Sequence, residues 1–314
     1  MKAATSIIIS ILLTIIILKF QIPILKKFNF GQPIREEGNK EHYKKEGTPT
    51  MGGLSFVIVF IVLSFIINKI NAELLFIILT TLAFGMIGFI DDYEKIVKKT
   101  NLGLTENQKL ILQFIVSFIL LTIFYFALDV NIGDIEIPLF KTILPLGIFS
   151  IPLLMIIMVG SVNAVNFTDG LDGLLSSVSI PVFIGIYLLS NNDVVSKTSL
   201  IFVGGLLGFL VFNSNPASIF MGDIGSMAIG GAIVSMLIVI NKPIYYAVLG
   251  GIYLIEALSV VIQRIYFRKT GGKRIFLMSP IHHHYELKGF KETKIVTSFM
   301  VLSIILTLIT IAIA

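Results

Sequence analysis

Ten apolar stretches divide this sequence, at about 4–22, 51–68, 73–90, 108–128, 143–161, 175–190, 198–213, 226–240, 244–266 and 295–313. A helix needs about 20 mostly apolar residues to cross the hydrocarbon core of a bilayer, and backbone inside that core must bond to itself. The expected fold is therefore an all-α polytopic integral membrane protein with about ten transmembrane helices, read as a single transmembrane domain over 1–314. The shorter stretches suit helices that pack against neighbours. Only 14% of the 314 residues are charged, against about 25% in soluble domains. That deficit excludes a disordered chain, a nucleic-acid-binding module and an ordinary cytosolic enzyme. There is no Cys, which removes disulfides, thiolate zinc sites and a thiol nucleophile. No small-residue cleavage site follows the first stretch, so it is read as a retained helix and not a signal peptide.

Ten spans place both termini on one side of the membrane. The loops then fall into two sets, and 18 of the 24 Lys and Arg residues lie in one of them: 23–50, 91–109, 162–174, 214–225 and 264–294. Lys and Arg concentrate on the cytoplasmic side of membrane proteins. These five loops are accordingly read as cytoplasmic and both termini as outside. All four His (His42, His282, His283 and His284) share that side, as do five of the eight Asp: Asp91, Asp92, Asp169, Asp172 and Asp223. Each of these Asp sits at or just beyond a span end, where a carboxylate is costly unless paired, hydrated or bound to metal. Five on one face point to a cation site or an ion path. On the other side, 130–140 alternates apolar and polar residues around Gly133-Asp134, the pattern of a small periplasmic β-hairpin.

The chemistry lies in the span-end motifs. Gly88-Phe-Ile-Asp-Asp-Tyr93 closes the third span. Its paired carboxylates suit a divalent ion, or one binds metal while the other orients a Lys. The plain alternative is a solvated helix end neutralised by Lys95, Lys98 and Lys99. A negative pair near a helix C-terminus opposes the helix dipole, which argues for a functional reason. The segment from Asn163 to Gly173 concentrates Asn163, Asn166, Asp169, Gly170, Asp172 and Gly173 between apolar runs. A tight turn needs one or two such residues. The excess points to metal ligands or to groups that read a base or ribose. The segment from Asn213 to Ser226 joins spans seven and eight, with Asp223 as its sole carboxylate. Gly222 and Gly225 allow close backbone approach, and Phe220 can stack on a base. Asp223 also suits the first turn of a helix on its own.

Ser279-Pro-Ile-His-His-His-Tyr-Glu286 follows a basic stretch from Arg268 to Arg274. Its three His lack the spacing of a zinc site. They suit phosphate oxygens or proton handling, with a plain surface run as the alternative. Lys45 to Gly53 offers a Lys, hydroxyls such as Thr50 and backbone donors for phosphate, without P-loop spacing. A basic juxtamembrane turn is the simpler reading there. Glu256 lies inside span nine, and Gln263 follows seven residues later on nearly the same helix face. A buried Glu must pair, protonate or face water.

Together these motifs resemble a known family. Gly47-Thr-Pro-Thr-Met-Gly-Gly53, Gly88 to Tyr93, Asn101-Leu-Gly-Leu-Thr105, Asn163 to Gly173, Phe220-Met-Gly-Asp-Ile-Gly-Ser226 and Pro280-Ile-His-His-His-Tyr-Glu-Leu-Lys-Gly289 stand in family order from about residue 45 to 290. They are similar to the phospho-N-acetylmuramoyl-pentapeptide transferases, a branch of the polyprenyl-phosphate N-acetylhexosamine-1-phosphate transferase superfamily. The triple His favours that branch over the N-acetylglucosamine branch. The resemblance implies transfer from UDP-N-acetylmuramoyl-pentapeptide to undecaprenyl phosphate with Mg²⁺, giving lipid I and UMP in the first membrane step of peptidoglycan synthesis. It also implies a multi-pass protein of the bacterial inner membrane, an active site on the cytoplasmic side, commonly a homodimer, and no nucleic-acid partner.

Carried over motif by motif, the resemblance makes Asp223 the principal Mg²⁺ ligand, with Asp91, Asp92 and Asn166 as further candidates. Asp91 and Asp92 sit beside the reacting phosphates. Asn166, Asp169, Gly170, Asp172, Phe220 and Gln263 line the nucleoside pocket. Thr50, Asn213, Gly222 and Ser226 complete the substrate-binding set, and Lys45 reaches phosphate or uridine. His282, His283 and His284 contact phosphate or the sugar-peptide, and span nine borders a lipid groove. Residues 23–44 match least and carry no assignment.

A phosphate monoester has a second pKa of about 6, so the lipid phosphate is mostly dianionic and needs little help from a base. Bringing two anions together is the difficulty, which Mg²⁺ and Lys offset. Direct attack is expected, with Asp91 taking a proton from any monoanionic phosphate and Asp92 orienting metal or Lys. Double displacement through an aspartyl phosphate is the rival. Two other readings stand beside this one: a sister-branch enzyme using UDP-N-acetylglucosamine, and a cation-coupled transporter, which usually places its carboxylates near the midplane.

Overall fold

The structure is a computed structural model describing residues 3–28, 45, 47–98, 103–126, 128 and 131–314. His42, Lys99, Asn101 and Leu102, named above, lie outside the described residues, as do Glu46 and Val130 of the segments 45–53 and 130–140 and most of the loop 23–44.

The helices are α1 (Ala3–Lys27), α2 (Gly53–Ile67), α3 (Ala72–Lys98), α4 (Glu106–Phe126), α5 (Ser150–Phe167), α6 (Leu174–Leu189), α7 (Asp193–Asn213), α8 (Gly222–Val239), α9 (Tyr246–Leu249), α10 (Gly251–Lys269), α11 (Ile281–Leu287) and α12 (Glu292–Ile313). Two strands, β1 (Asp134–Ile137) and β2 (Thr142–Pro145), stand between α4 and α5. Among the described residues, seven helices are long and apolar enough to cross a membrane: α1, α3, α4, α5 with the turn before it, α7, α8 and α12. Counted as one broken span, the pair Pro243–Leu249 and Gly251–Lys269, bent by 80°, brings the number to eight. α2 and α6 are apolar but shorter, at 15 and 16 residues. The molecule is thus a mostly helical, polytopic membrane protein.

Several expected boundaries move, each for a local reason. The ninth span is not continuous. Gly250 leaves helical geometry (φ −91°, ψ 20°), and adjacent glycines at 250 and 251 offer little resistance to a kink. The third span does not end at Asp92, because α3 continues to Lys98. Salt bridges Lys95–Asp91 (2.6 Å) and Lys98–Glu94 (2.6 Å), both four residues apart, carry the helix onward as a polar rod. Asp91 and Asp92 therefore lie inside the helix, and the dipole argument against them falls away. The hairpin is present, with Asp134 opposite Pro145 and Ile137 opposite Thr142. Its turn is at 138–141, not at Gly133-Asp134. Pro138 has no N–H to continue the ladder, and Leu139 and Lys141 take positive φ (70° and 50°). Because β2 uses 142–145, α5 starts and ends later than the expected 143–161. α7 starts earlier, at Asp193, where the Asn192 side chain accepts from the backbone N–H groups of Val194 and Val195.

α8 is apolar on every side and occupies the centre, with 94% of its span buried. That is the expected site for a helix without a polar face. α1, α4 and α12 form the periphery, only 17%, 28% and 22% buried, and their exposed Ile, Leu and Phe suit lipid. Between them, Phe56, Phe60, Phe183, Phe202 and Phe209 join α2, α6 and α7 in one aromatic cluster. The 18 residues of α8 span roughly 27 Å. Its N-terminal end carries Asp223. Beyond its C-terminal end lies the hairpin, where the Glu136 N–H donates to Asn241 O (2.8 Å) and Lys242 Nζ to Glu136 Oε1 (2.8 Å).

Candidate active site

The closest helix contact near Asp223 is glycine-dependent. Gly88 of α3 lies so close to the Asp223 carbonyl that a Cβ would collide with the backbone. This approach brings Asp91 and Asp92 of α3 to Asp223 of α8. One ligand oxygen from each lies within 4.8 Å of the others. Gly222 turns the chain into α8 with φ 78°. A Cβ there would meet Asp92 Oδ2 at 2.6 Å and Thr50 Oγ1 at 3.0 Å.

Two ammonium groups stand among the carboxylates. Lys95 Nζ lies 2.6 Å from Asp91 Oδ2, 3.3 Å from Asp223 Oδ2 and 3.9 Å from Asp92 Oδ1. Lys109 Nζ, from the first turn of α4, lies 2.8 Å from Asp91 Oδ2 and 2.6 Å from Asp223 Oδ2. Backbone adds two donors: Leu104 N to Asp91 Oδ1 (2.8 Å) and Ile224 N to Asp92 Oδ2 (3.1 Å). Asp92 Oδ1 is buried without a hydrogen bond, as is Thr50 Oγ1. Three carboxylates against two lysines leave a net negative charge. With hard oxygen donors, and with Asp91 Oδ2 and Asp92 Oδ1 both buried without a hydrogen bond, the set fits a divalent, oxygen-seeking cation.

A second cluster braces the loops. Lys45 Nζ donates to Asp172 Oδ1 (2.8 Å) and Glu292 Oε1 (2.8 Å). Asn215 Nδ2 donates to Glu292 Oε2 (2.8 Å) and Asp172 Oδ2 (3.2 Å), and Ala217 N also donates to Asp172 Oδ2 (3.0 Å). Burial depresses the Lys45 pKa, but the hydrogen bonds to Asp172 and Glu292 outweigh it and hold the amine above its ordinary value. Asn213 ties the same region together, accepting from Gly173 N (3.1 Å) and donating to Ile219 O (3.0 Å). Residues 49–53 pair with 220–221 by backbone: Phe220 N to Pro49 O (2.8 Å), Gly52 N to Phe220 O (2.9 Å) and Gly53 N to Met221 O (2.8 Å). Asn166 Nδ2 donates to Ser226 Oγ (2.8 Å). Between the clusters lies Asp169. Burial, reinforced by the negative charges of Asp223, Asp92 and Asp172, pushes its carboxyl up to about 8.

The three His face different neighbours. His282 is fully buried, with Nε2 against Gly170, where a Cβ would have no room. His283 Nδ1 lies 2.6 Å from Glu286 Oε2, and His284 Nδ1 accepts from Leu277 N (3.1 Å). Gln263 is committed to backbone: it accepts from Ile275 N and Phe276 N (both 3.0 Å) and donates to Phe276 O (3.0 Å). Sequence reasoning left Lys95, Lys109 and Glu292 out of the site. Lys95 had a signal in its four-residue spacing from Asp91. Lys109 and Glu292 had none, since each meets its partners only through folding.

Known proteins supply the comparison. Residues 74–241 match the family model described as glycosyl transferase family 4. Residues 45–57 match the phospho-N-acetylmuramoyl-pentapeptide-transferase signature 1. The chain is 44% identical to a Halalkalibacterium halodurans protein named phospho-N-acetylmuramoyl-pentapeptide-transferase, over 98% of this chain and 95% of the relative. It is 44% identical to the Bacillus subtilis protein of the same name, over 97% and 95%. A Clostridium kluyveri protein of that name is 45% identical, over 92% of each.

Proposed function

The chain belongs to the family of phospho-N-acetylmuramoyl-pentapeptide transferases, and from that premise we propose how its residues perform the transfer. It is a multi-pass bacterial membrane transferase of peptidoglycan synthesis. It joins UDP-N-acetylmuramoyl-pentapeptide to undecaprenyl phosphate, giving lipid I and UMP. An oxygen of the lipid phosphate attacks the sugar-bearing phosphorus of the donor. The bond from that phosphorus to the bridging oxygen breaks, and UMP leaves with the bridging oxygen.

The observation that carries the site assignment is the convergence of Asp91, Asp92 and Asp223 from two helices, with Lys95 and Lys109 among them. Asp223, with Asp91, Asp92 and Asn166, would hold Mg²⁺, which supplies charge neutralisation and orients phosphate oxygens when bound. Lys95 and Lys109 offset the repulsion between donor diphosphate and lipid phosphate, and the packed α3–α8 contact fixes their geometry. Asp91 has both oxygens engaged, Oδ1 by Leu104 N and Oδ2 by the two lysines. Asp92 Oδ1 has Lys95 Nζ only at 3.9 Å. We therefore assign the proton-accepting role to Asp92 and the lysine-orienting role to Asp91, exchanging the roles expected from sequence. Lys45, Thr50, Asn166, Asp169, Gly170, Asp172, Asn213, Phe220, Gly222, Ser226 and Gln263 build or brace the donor pocket. Of the three His, His282 shapes the donor pocket from beneath, because its buried ring lies against Gly170.

We further infer ten crossings, with α2 and α6 as short spans enclosed by longer neighbours. Charge asymmetry supports outward termini and an active site at the cytoplasmic end of one membrane domain. The homodimer rests on the resemblance alone. Clustering of the carboxylates at one end of α3 and α8 argues against a midplane transport site.

The test is UMP release by purified protein in detergent, with Mg²⁺, undecaprenyl phosphate and UDP-N-acetylmuramoyl-pentapeptide, beside Asp223→Ala. Release that requires lipid and Mg²⁺ and collapses in the variant is expected. Release only with UDP-N-acetylglucosamine would move the chain to the sister branch. Radiolabelled phosphate on the protein without acceptor lipid would overturn direct attack.

A further inference from the structure

Glu256 has no part in the mechanism above, yet it is fully buried, as is His282. α10 presents it to α11, with Glu256 Oε1 3.1 Å from His282 Nδ1. The contact is close but not aligned as a hydrogen bond, and neither Glu256 oxygen and neither ring nitrogen has a hydrogen-bond partner. A carboxylate buried without other donors is costly. The imidazole therefore compensates Glu256, and Glu256 holds the imidazole. A carboxylate facing one ring nitrogen keeps the proton on that nitrogen and orients the ring. The other nitrogen, Nε2, then faces Gly170 in the loop that carries Asp169 and Asp172. Seven residues along the same helix face, Gln263 holds the backbone of Ile275 and Phe276. α10 thus fixes the His-bearing segment at two points.

We propose that Glu256 is a positioning residue, which keeps the His282 proton on Nδ1 and so holds Nε2 against Gly170, setting the Asp169–Asp172 loop that lines the donor pocket. The inference rests on the reading that His282, through Gly170, shapes the donor pocket.

Two variants test it. Glu256→Gln keeps the shape and leaves Nδ1 an uncharged partner. Glu256→Leu keeps buried volume and leaves none. kcat/KM for UMP release should fall about 10-fold in the first and about 100-fold in the second, the range seen when the partner behind a His is removed. The thermal midpoint of E256Q should stay close to that of the parent, so this variant carries the test if E256L does not fold. Ring-¹⁵N NMR, with His282→Asn for assignment, should show Nδ1 protonated in the parent and the proton moved to Nε2 in E256L. If E256L does not fold, E256Q should keep Nδ1 protonated but with a shifted resonance. Unchanged kcat/KM in E256Q, or a bare Nδ1 in the parent, would overturn the proposal. A fully active H282N would instead sink the reading that His282 shapes the donor pocket. An inactive H282N beside fully active Glu256 variants would sink this inference alone.

Discussion

Asp91, Asp92 and Asp223 tolerate their mutual approach because Lys95 and Lys109 share Asp91 Oδ2 and Asp223 Oδ2 between them. Lys109→Met leaves Asp223 Oδ2 with Lys95 alone, at 3.3 Å. Removing one partner of a buried pair costs about 3–5 kcal/mol. The pair is partly exposed, so the lower end of that range applies. The thermal midpoint of K109M should fall, and added Mg²⁺ should raise it by more than in the parent, both read by circular dichroism in detergent. A smaller Mg²⁺ effect in K109M would contradict a cation site among these carboxylates. Asp169 gives a pH prediction. Its folded-state pKa, about 8, lies above the unfolded value of 3.8. Between these values the folded chain holds a proton that the unfolded chain has lost. Stability therefore declines as pH rises from about 4 to about 8 and is level on either side. Asp169→Asn removes this dependence. The midpoint difference between D169N and the parent should grow in favour of D169N from pH 5 to pH 8, in metal-free buffer.

At the scale of elements, the α3–α8 contact decides whether the residues above meet at all. A Cβ at Gly88 strikes backbone, which cannot swing aside. Gly88→Ala should destabilise by about 1–3 kcal/mol or more and remove UMP release. Gly160→Ala, on α5 with nothing within 4 Å, should leave both unchanged. Equal loss in the two would show that helix glycines matter here for flexibility and not for approach. The apolar stretches were legible because a span announces itself locally, and the clustering of Asp91, Asp92 and Asp223 followed from counting loops. The α3 extension was half-legible: its four-residue charge pairs are in the sequence, but hydropathy ends at Asp91. The break at Gly250 was not, because a Gly pair also occurs in straight apolar helices. Lys109 and Glu292 were illegible for a stronger reason. Lys109 meets Asp223 across 114 residues and Glu292 meets Lys45 across 247, so no local pattern encodes either contact.

Over the whole molecule, polar groups divide between the two ends of α8, and this carries the orientation. The absence of native Cys makes that testable with single cysteines. Lys141→Cys, in the exposed hairpin turn, should react with a membrane-impermeant maleimide in intact cells. Lys273→Cys, in the exposed loop after α10, should react only after permeabilisation. The opposite pattern would invert the proposed topology. The brace of Lys45, Asp172 and Glu292 has a consequence for biosynthesis. Its members come from before α2, between α5 and α6, and the first turn of the last helix. A ribosome delivers Lys45 early and Glu292 near the end of its work. Through most of translation Lys45 has at most half of its anionic partners, and the loops that we assign to the donor pocket stay unbraced. Nascent chains that stop before α12 therefore carry Asp91, Asp92 and Asp223 without the brace that ties the loops together, and activity should appear only as the final helix enters the membrane.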